Sequence, residues 1–173
     1  MLMVGAACIC LGGCVTETES GRTIRDGGLD EMPDEFVIHS VAQLVGRAVD
    51  TDADGRVDSI PVTVYLMAHS ATRTQIAVWA TGHFEFELTD RNDRPIATWS
   101  FAPDETDAMR VRGGAVGRAY RTVLELSDDD LAVAGRSWAG ALGCRFVPVE
   151  GDPIETDKPV SVIGGDTFRR DGP

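Results

Sequence analysis

The feature of the chain that most limits its fold is an alternation of apolar and polar residues with a period of two. Phe84, Phe86 and Leu88 alternate with polar residues, and segments 62–67 and 120–126 alternate in the same way. Because successive side chains of a β-strand point to opposite faces, this pattern predicts strands with one buried face. Further extended segments are expected at 36–41, 75–81, 96–101, 142–149 and 159–163.

Turn-forming residues separate these segments, and a helical pattern is confined to two short stretches, 41–48 and 127–135. In the second stretch Ser127 and Asp130 have the spacing of a capping box. About eight short strands without long helices between them predict an all-β fold, an antiparallel β-sandwich. We expect this domain to occupy residues 35–163 and a disordered tail to follow at 164–173.

Two local patterns support a sandwich. Segment 84–101 predicts a hairpin, and it resembles the hairpin of immunoglobulin-like bacterial domains, including the intracellular proteinase-inhibitor type. Gly117-Arg118-Ala119-Tyr120 resembles a tyrosine corner, in which the phenol hydroxyl bonds to backbone a few residues upstream. The two resemblances together imply an antiparallel immunoglobulin-like β-sandwich of seven or eight strands. Glu85 and Glu87 alternate with phenylalanines and are expected on a solvated outer face.

The net charge of the chain argues against nucleic acid as a partner. The 173 residues include 28 acidic and 16 basic side chains, which give a formal net charge of −12. A chain of this charge repels phosphate backbones as a whole. Hydrophobic residues make up 43% and aromatic residues 6%, which indicates a single domain with a core of Val, Leu, Ile and Ala.

The first fifteen residues form an uncharged apolar run with a cysteine near its end. A hydrocarbon core needs roughly 20 apolar residues, so the run is too short to span a membrane, and small residues before a cysteine are typical of an export signal. Leu11-Gly12-Gly13-Cys14 resembles the lipobox of bacterial lipoproteins, in which a peptidase cuts before the cysteine and its sulfur carries a diacylglycerol. The resemblance implies a signal peptide at 1–13, whose true start lies upstream, and a lipid on Cys14.

The lipobox resemblance also implies where the protein resides. The lipid would attach the chain to a membrane through a flexible tether at 14–34, a polar segment that contains glycine. By resemblance to Gram-negative lipoproteins, Val15 after the cysteine suits sorting to the outer membrane. The alternative is that the apolar run is a buried first strand or core helix, with Cys8, Cys10 and Cys14 as small hydrophobic residues.

A loop with regularly spaced carboxylates is the candidate metal site. Segment 50–58 reads DTDADGRVD. Three carboxylates within five residues repel one another unless water or a cation separates them, and Ca²⁺ favours oxygen ligands in flexible geometry. The segment resembles nine of the twelve positions of the calcium loop in EF-hand and dockerin modules. The resemblance implies that Asp50, Asp52 and Asp54 bind through their side chains. It also implies that Arg56 binds through its carbonyl and that Asp58 binds directly or through water.

This loop departs from the full calcium loop at its twelfth position, which is Pro61 and has no carboxylate. Two oxygens are then missing. Either they come from elsewhere in the fold, with 104–107 and 128–130 as the candidates, or the site binds Ca²⁺ weakly, with a Kd of about 10⁻⁴ to 10⁻³ M. The alternation after Asp58 favours a strand–loop–strand site over a helix–loop–helix site. The alternative interpretation is a hydrated acidic turn that only reverses the chain between two strands.

No catalytic motif is found in the sequence, and we expect the protein not to be an enzyme. His39, His69 and His83 match no zinc spacing, and Cys144 is expected to pack in the core. The sequence therefore predicts an exported, lipid-anchored envelope protein with a structural or binding role and an unidentified protein or glycan partner. The alternative is an inhibitor or accessory domain for a secreted protease or hydrolase, with an exposed loop at 100–118 as its contact.

Overall fold

The computed structural model describes residues 36–69, 75–113, 117–135 and 137–165. The predicted signal peptide at 1–13, with the tether at 14–34, lies outside the described residues, as does the tail beyond Gly165. None of the described helices is long and apolar enough to cross a membrane. The described elements are β1 (Val37–Val45), β2 (Ser59–His69), β3 (Gln75–Val78), β4 (Gly82–Asp90), β5 (Pro95–Ser100), α1 (Pro103–Ala108), β6 (Arg110–Gly113), β7 (Gly117–Glu125), α2 (Asp128–Ala134), β8 (Ser137–Pro148), β9 (Ile154–Glu155) and β10 (Val160–Gly165).

The strands form two sheets. In the first sheet β2 pairs with β1 on one side and with both β3 and β7 on the other, and β6 extends the sheet beyond β7. In the second sheet the order is β10-β8-β4-β5, and β9 pairs with β8. These pairings are antiparallel except for the parallel pairing of Ala77 with Gly117 between β3 and β7. The prediction of an all-β sandwich is confirmed, although the described residues form ten strands instead of seven or eight.

The core lies between the two sheets and is built from the apolar face that the alternation predicted. Phe84 of the second sheet packs against Tyr120 of the first at 4.9 Å between ring centroids and against Phe146 at 5.1 Å. All three side chains are fully buried. Complete burial of a large apolar side chain contributes about 1.5–3 kcal/mol, so contacts of this kind hold the sheets together. Other fully buried core residues are Ile60, Val62, Val64, Leu66, Val78, Leu88, Leu124 and Leu142.

Hydrogen bonds connect the two sheets along both sides of the sandwich. On one side Val41 forms an isolated bridge with Thr156, and the Gln43 side chain donates to the Leu142 carbonyl at 2.6 Å. On the other side Trp99 Nε1 donates to the Glu125 carbonyl at 2.9 Å. The short helices α1 and α2 carry the chain between the sheets, from β5 to β6 and from β7 to β8.

The two helices begin at capping residues, of which only one set was predicted. The Ser127 hydroxyl accepts from Asp130 N at 3.2 Å and the Asp130 carboxylate accepts from Ser127 N at 2.9 Å, which confirms the capping box of α2. The start of α1 has Pro103 in its first turn, and the Glu105 carboxylate accepts from Ala102 N at 2.7 Å. The other predicted helical stretch, 41–48, is instead β1 up to Val45, because its backbone pairs with β2.

The Tyr120 hydroxyl makes two hydrogen bonds with the backbone of Ala80. It accepts from Ala80 N at 2.8 Å and donates to the Ala80 carbonyl at 3.0 Å. The predicted tyrosine corner placed the partner a few residues upstream, but the partner lies 40 residues upstream. Because Ala80 stands where the chain passes from β3 in the first sheet to β4 in the second, the tyrosine fixes this crossing.

Candidate functional site

The loop between β1 and β2 carries the candidate metal ligands at one end of the first sheet. Backbone hydrogen bonds close its base, from Gly46 N to the Pro61 carbonyl at 2.7 Å and from Val49 N to the Ser59 carbonyl at 2.9 Å. The flanking elements are both strands, so the predicted strand–loop–strand arrangement is confirmed. Pro61 itself lies in β2, paired with Val123, and adds no ligand to the loop.

The side chains of Asp50, Asp52 and Asp54 converge within this loop. Each offers one carboxylate oxygen, and these oxygens lie within 4.8 Å of one another. All three oxygens are therefore close enough to contact one ion, and the exposed position of Asp52 and Asp54 leaves the approach from solvent open. Among the described residues, no other group of His, Cys, Asp or Glu side chains is placed to hold a metal ion.

Backbone amides hold the first of these carboxylates in place. Asp50 accepts from Ala53 N at 2.7 Å with one oxygen and from Gly55 N at 2.9 Å with the other. The chain turns tightly enough for this because Ala53 and Gly55 have positive φ angles of 63° and 87°. The amide dipoles offset part of the repulsion between the carboxylates, so the loop conformation is set locally.

The Asp58 carboxylate and the Arg56 side chain make contacts outside the group of three convergent carboxylates. The Asp58 carboxylate accepts from Thr51 N at 3.2 Å and from the hydroxyls of Thr51 and Ser59, both at 3.0 Å. Partial burial raises the pKa of Asp58, but the hydrogen bonds from Thr51 and Ser59 outweigh it, and the net pKa lies below the ordinary value of 3.8. The Arg56 side chain extends to Asp128 at the start of α2, where Nη1 and Oδ1 are 3.4 Å apart.

The two acidic segments proposed to complete the site have different positions. In α1, Asp107 pairs with Arg110 at 2.6 Å and Glu105 caps its own helix. In α2, Asp128 lies beside the loop through its contact with Arg56. Leu126 N also donates to the Asp58 carbonyl at 2.7 Å, which ties the start of α2 to the end of the loop. Of the two segments, 128–130 therefore has a described contact with the loop.

A groove of about 590 Å³ lies over the outer face of the second sheet and is lined in part by Glu85, Glu87 and Arg145. Arg145 Nε contacts the Glu85 carboxylate at 3.0 Å, and His83 Nε2 lies 3.4 Å from the same carboxylate. Glu87 is exposed, as predicted, whereas Glu85 is half-buried in these contacts. The ion pair with Arg145 explains why Glu85 tolerates this partial burial.

Two further sequence predictions concern single segments. Cys144 is buried in the core as predicted, and burial raises the pKa of its thiol. The segment 100–118, expected as an exposed loop for the inhibitor alternative, contains α1 and β6 and the start of β7. The described part of this segment is therefore mostly regular structure and not an extended contact loop.

A cluster of arginines surrounds Trp79 and was not predicted from the sequence. The guanidinium carbons of Arg110, Arg112 and Arg118 lie 6.0, 5.8 and 5.5 Å from the Trp79 ring centroid. The indole Nε1 donates to the Ala119 carbonyl at 3.0 Å, which fixes the ring against β7. The signal in the sequence was the alternation of Arg110 and Arg112, a strand pattern carried by charged instead of apolar residues.

The described residues thus form a β-rich fold with an acidic cluster, Asp50, Asp52 and Asp54, in the loop between β1 and β2. This cluster is the part of the predicted ligand set that the fold brings together. Comparison of the chain with protein families, with curated proteins and with solved structures finds no match.

Proposed function

We propose that the protein is an exported, lipid-anchored envelope protein with a structural or binding role, and that Ca²⁺ bound by its Asp50–Asp58 loop stabilises it. The observation that supports the metal is the convergence of Asp50, Asp52 and Asp54, whose carboxylate oxygens lie within 4.8 Å of one another. Hard oxygen donors of this kind suit Ca²⁺ better than Zn²⁺ or copper, which favour nitrogen and sulfur ligands.

The residues present fit a Ca²⁺ site of modest affinity. Ca²⁺ takes about six to eight oxygens, and the three convergent aspartates supply at least three. Asp58 keeps its hydrogen bonds to Thr51 and therefore contributes through water, while the Arg56 carbonyl provides a further oxygen. Water fills the remaining positions because the loop is open to solvent. A site so composed corresponds to a Kd of about 10⁻⁴ to 10⁻³ M, the range of extracellular calcium modules.

The role of the ion would be to fix the end of the sandwich. The loop joins two neighbouring strands, and its last residue, Asp58, receives the backbone hydrogen bond of Leu126 just before α2. A cation between the carboxylates removes their mutual repulsion and immobilises the loop. At roughly 10 mM Ca²⁺ the Kd range above stabilises the folded state by about 1.4 to 2.7 kcal/mol.

Calorimetric titration and thermal unfolding of the full chain test the metal. We expect Ca²⁺ to release or absorb heat with one site per chain and to raise the melting temperature, and we expect EDTA to reverse the rise. Asp52→Asn and Asp54→Asn should abolish both effects because each removes a convergent carboxylate. Asp157→Asn, which removes an exposed carboxylate between β9 and β10, is the matched control and should leave both effects unchanged.

The metal proposal fails if Ca²⁺ gives no heat and neither Ca²⁺ nor EDTA moves the melting temperature. It also fails if Asp157→Asn loses the effect as fully as Asp52→Asn, because the response would then report net charge alone. Mg²⁺ provides a further comparison, since an open loop does not supply the strict octahedral geometry that Mg²⁺ demands. Mg²⁺ at the same concentration should stabilise the protein less than Ca²⁺.

The lipid anchor is supported by the sequence Leu11-Gly12-Gly13-Cys14 and by the polar segment that follows it. Metabolic labelling of the native host with radioactive palmitate tests it. The wild-type chain should carry the label and Cys14→Ala should not, whereas Cys144→Ala should be labelled like the wild type because that thiol is buried. An unlabelled wild-type chain found with the cytosolic proteins would overturn the anchor and the predicted location together.

A further inference from the structure

Three arginines share one face at the β6–β7 end of the first sheet. Arg110 pairs with Tyr120 and Arg112 with Arg118, and alternate residues of a strand point the same way. The three arginine side chains therefore lie on the same face of this ladder as the buried Tyr120 ring. Their guanidinium carbons all lie within 6.0 Å of the Trp79 ring centroid. We call this set, Trp79 with Arg110, Arg112 and Arg118, the Trp79 cluster.

Arg118 is the residue of this cluster whose surroundings are hardest to explain by folding alone. It is only 8% exposed, and in the part of the chain that the structure describes no carboxylate or carbonyl oxygen is its partner. Its contact is with the face of Trp79, at 5.5 Å. Buried cations in proteins are normally paired with an anion, and Arg118 instead stands directly opposite another arginine, Arg112.

Arg110 points to the same missing group. One of its terminal nitrogens pairs with Asp107 at 2.6 Å and donates to the Ala80 carbonyl at 3.3 Å. Its Nε is buried and has no hydrogen-bond partner. The carboxylate of Asp107 is thus committed to Arg110, which leaves the charge of Arg118 without a counter-ion among the described residues. Arg110 Nε and the Arg118 guanidinium, both beside the Trp79 ring, are the donors that an anion bound at this cluster would use.

We propose that the Trp79 cluster binds a small oxyanion of the phosphate class. The planar fork of a guanidinium matches the oxygens of phosphate in pairs, and guanidinium groups that already stack on an indole are held in place to receive it. Arg112 is exposed and Arg110 is half-exposed, so the cluster borders solvent.

The acidic character of the whole protein limits the size of the ligand without preventing its binding. Glu125, at the end of β7, pairs with Ser59 at the base of the acidic loop. Arg118 lies seven residues before Glu125 on the same strand, a distance of about 23 Å. This separation exceeds the Debye length of about 8 Å at physiological ionic strength, so the loop carboxylates are largely screened at the cluster. A long polyanion would extend over the rest of the acidic surface and be repelled. The phosphate group is therefore either free in solution or the headgroup of an anionic lipid.

Titration of the full chain with inorganic phosphate at constant ionic strength tests the proposal. We expect saturable heat and a change in tryptophan fluorescence that Trp79→Phe removes. Arg118→Gln should weaken phosphate binding at least about tenfold, the loss expected for one charge-assisted hydrogen-bonding partner. The matched control is Arg121→Gln, which removes an exposed arginine on the opposite face of β7 and should bind within about twofold of the wild type.

A second variant keeps the test informative if Arg118→Gln does not fold, as judged by circular dichroism. Arg118→Lys retains the charge but not the planar fork. This variant should still bind phosphate measurably, but more weakly than the wild type. Absence of saturable binding up to roughly 50 mM phosphate, well above the weakest affinity of about 1 mM expected for a two-arginine site, overturns the proposal. Equal weakening by Arg118→Gln and Arg121→Gln also overturns it, because binding would then follow net charge.

Vesicles distinguish the two sources of the phosphate group. If the ligand is a lipid headgroup, the chain should sediment with phosphatidylcholine vesicles that contain phosphatidic acid, and not with pure phosphatidylcholine. Inorganic phosphate and Arg118→Gln should both reverse this association. If phosphate binds and the anionic vesicles do not, the ligand is a free oxyanion and the site stands. Failure of either arm leaves the calcium site untouched, because Asp52→Asn should change neither phosphate binding nor vesicle association.

Discussion

Replacing Tyr120 by Phe removes one oxygen and tests how the two sheets are joined. The ring stays in its place against Phe84, at 4.9 Å, so the apolar contact is retained. The Ala80 amide loses its acceptor, whereas the Ala80 carbonyl keeps Arg110 as a donor at 3.3 Å. An unsatisfied buried donor costs about 1–3 kcal/mol, and because Ala80 is only half-buried we expect a loss of about 1–2 kcal/mol in the free energy of unfolding.

Urea denaturation followed by circular dichroism measures this loss. The transition midpoint should fall and the slope should stay the same, since the surface exposed on unfolding does not change. The matched control is Tyr65→Phe, which alters the other of the two tyrosines in the chain. Tyr65 lies on the outer face of β2, and no hydrogen bond of its hydroxyl is found among the described residues. Its replacement should change the free energy of unfolding by less than about 0.5 kcal/mol.

The same substitution has an alkaline signature. Burial raises the pKa of the Tyr120 phenol above the ordinary value of 10.0, although the hydrogen bond with Ala80 and the charge of Arg110 act in the opposite direction. The stability that this neutral phenol contributes is fully present below about pH 10 and is lost as the pH rises through the folded-state pKa. Tyr120→Phe should therefore lose less stability above pH 10 than the wild type. Equal midpoints for both Phe variants, or an unchanged alkaline limb, would refute the role given to the Ala80 hydrogen bonds.

Three further predictions concern other parts of the domain. Hydrogen bonds from Thr51 and Ser59 hold the pKa of Asp58 below 3.8. The contribution of Asp58 to stability is therefore present above about pH 4 and is lost as the pH falls through the lower folded-state pKa. Acid unfolding of Asp58→Asn should depend less steeply on pH than acid unfolding of Asp157→Asn. Burial raises the pKa of the Cys144 thiol, so iodoacetamide should alkylate this residue only after denaturant is added. Mass spectrometry of the peptide that contains Cys144 measures the modification. Alkylation of the folded protein as fast as that of an exposed thiol would contradict the burial of Cys144. A side chain at Gly164 would overlap the buried Trp138 indole, whereas a methyl group at Gly143 would meet only the Glu87 carbonyl, at 3.9 Å. Gly164→Ala should therefore destabilise the protein by about 1–3 kcal/mol more than Gly143→Ala. Similar melting temperatures for the two variants would contradict the close packing at Gly164.

Most strands could be predicted from the sequence, because the alternation of apolar and polar residues depends only on which face of a strand is buried. It does not depend on which other strand pairs with it. The buried phenylalanines of β4 and the buried valines of β2 produce this signal directly. The pattern failed for β6, where Arg110 and Arg112 occupy the positions that apolar residues hold elsewhere. It also failed for β9, whose two residues are extended only because they pair with β8. Helix α1 has starting signals, Pro103 and Glu105, but no apolar period that could reveal it.

The candidate site divides in the same way between local and distant causes. The convergence of Asp50 with its neighbours follows from hydrogen bonds that reach no further than Gly55, so the spacing of the residues was enough to predict it. The side-chain direction of Arg56 depends on Asp128, which is 72 residues away in the chain. The partner of the Tyr120 hydroxyl is 40 residues away for the same kind of reason. Such contacts are set by how the sheets stack, which no local pattern encodes.

The acidic loop and the Trp79 cluster lie towards opposite ends of the first sheet. The carboxylates of the β1–β2 loop lie beyond Ser59, whereas the arginines around Trp79 lie in the half of the sheet where β7 begins. β1 starts in that second half, since Val37 pairs with His69. The first described residues therefore lie at the end of the sheet away from the acidic loop, which leaves the loop carboxylates open to dissolved cations.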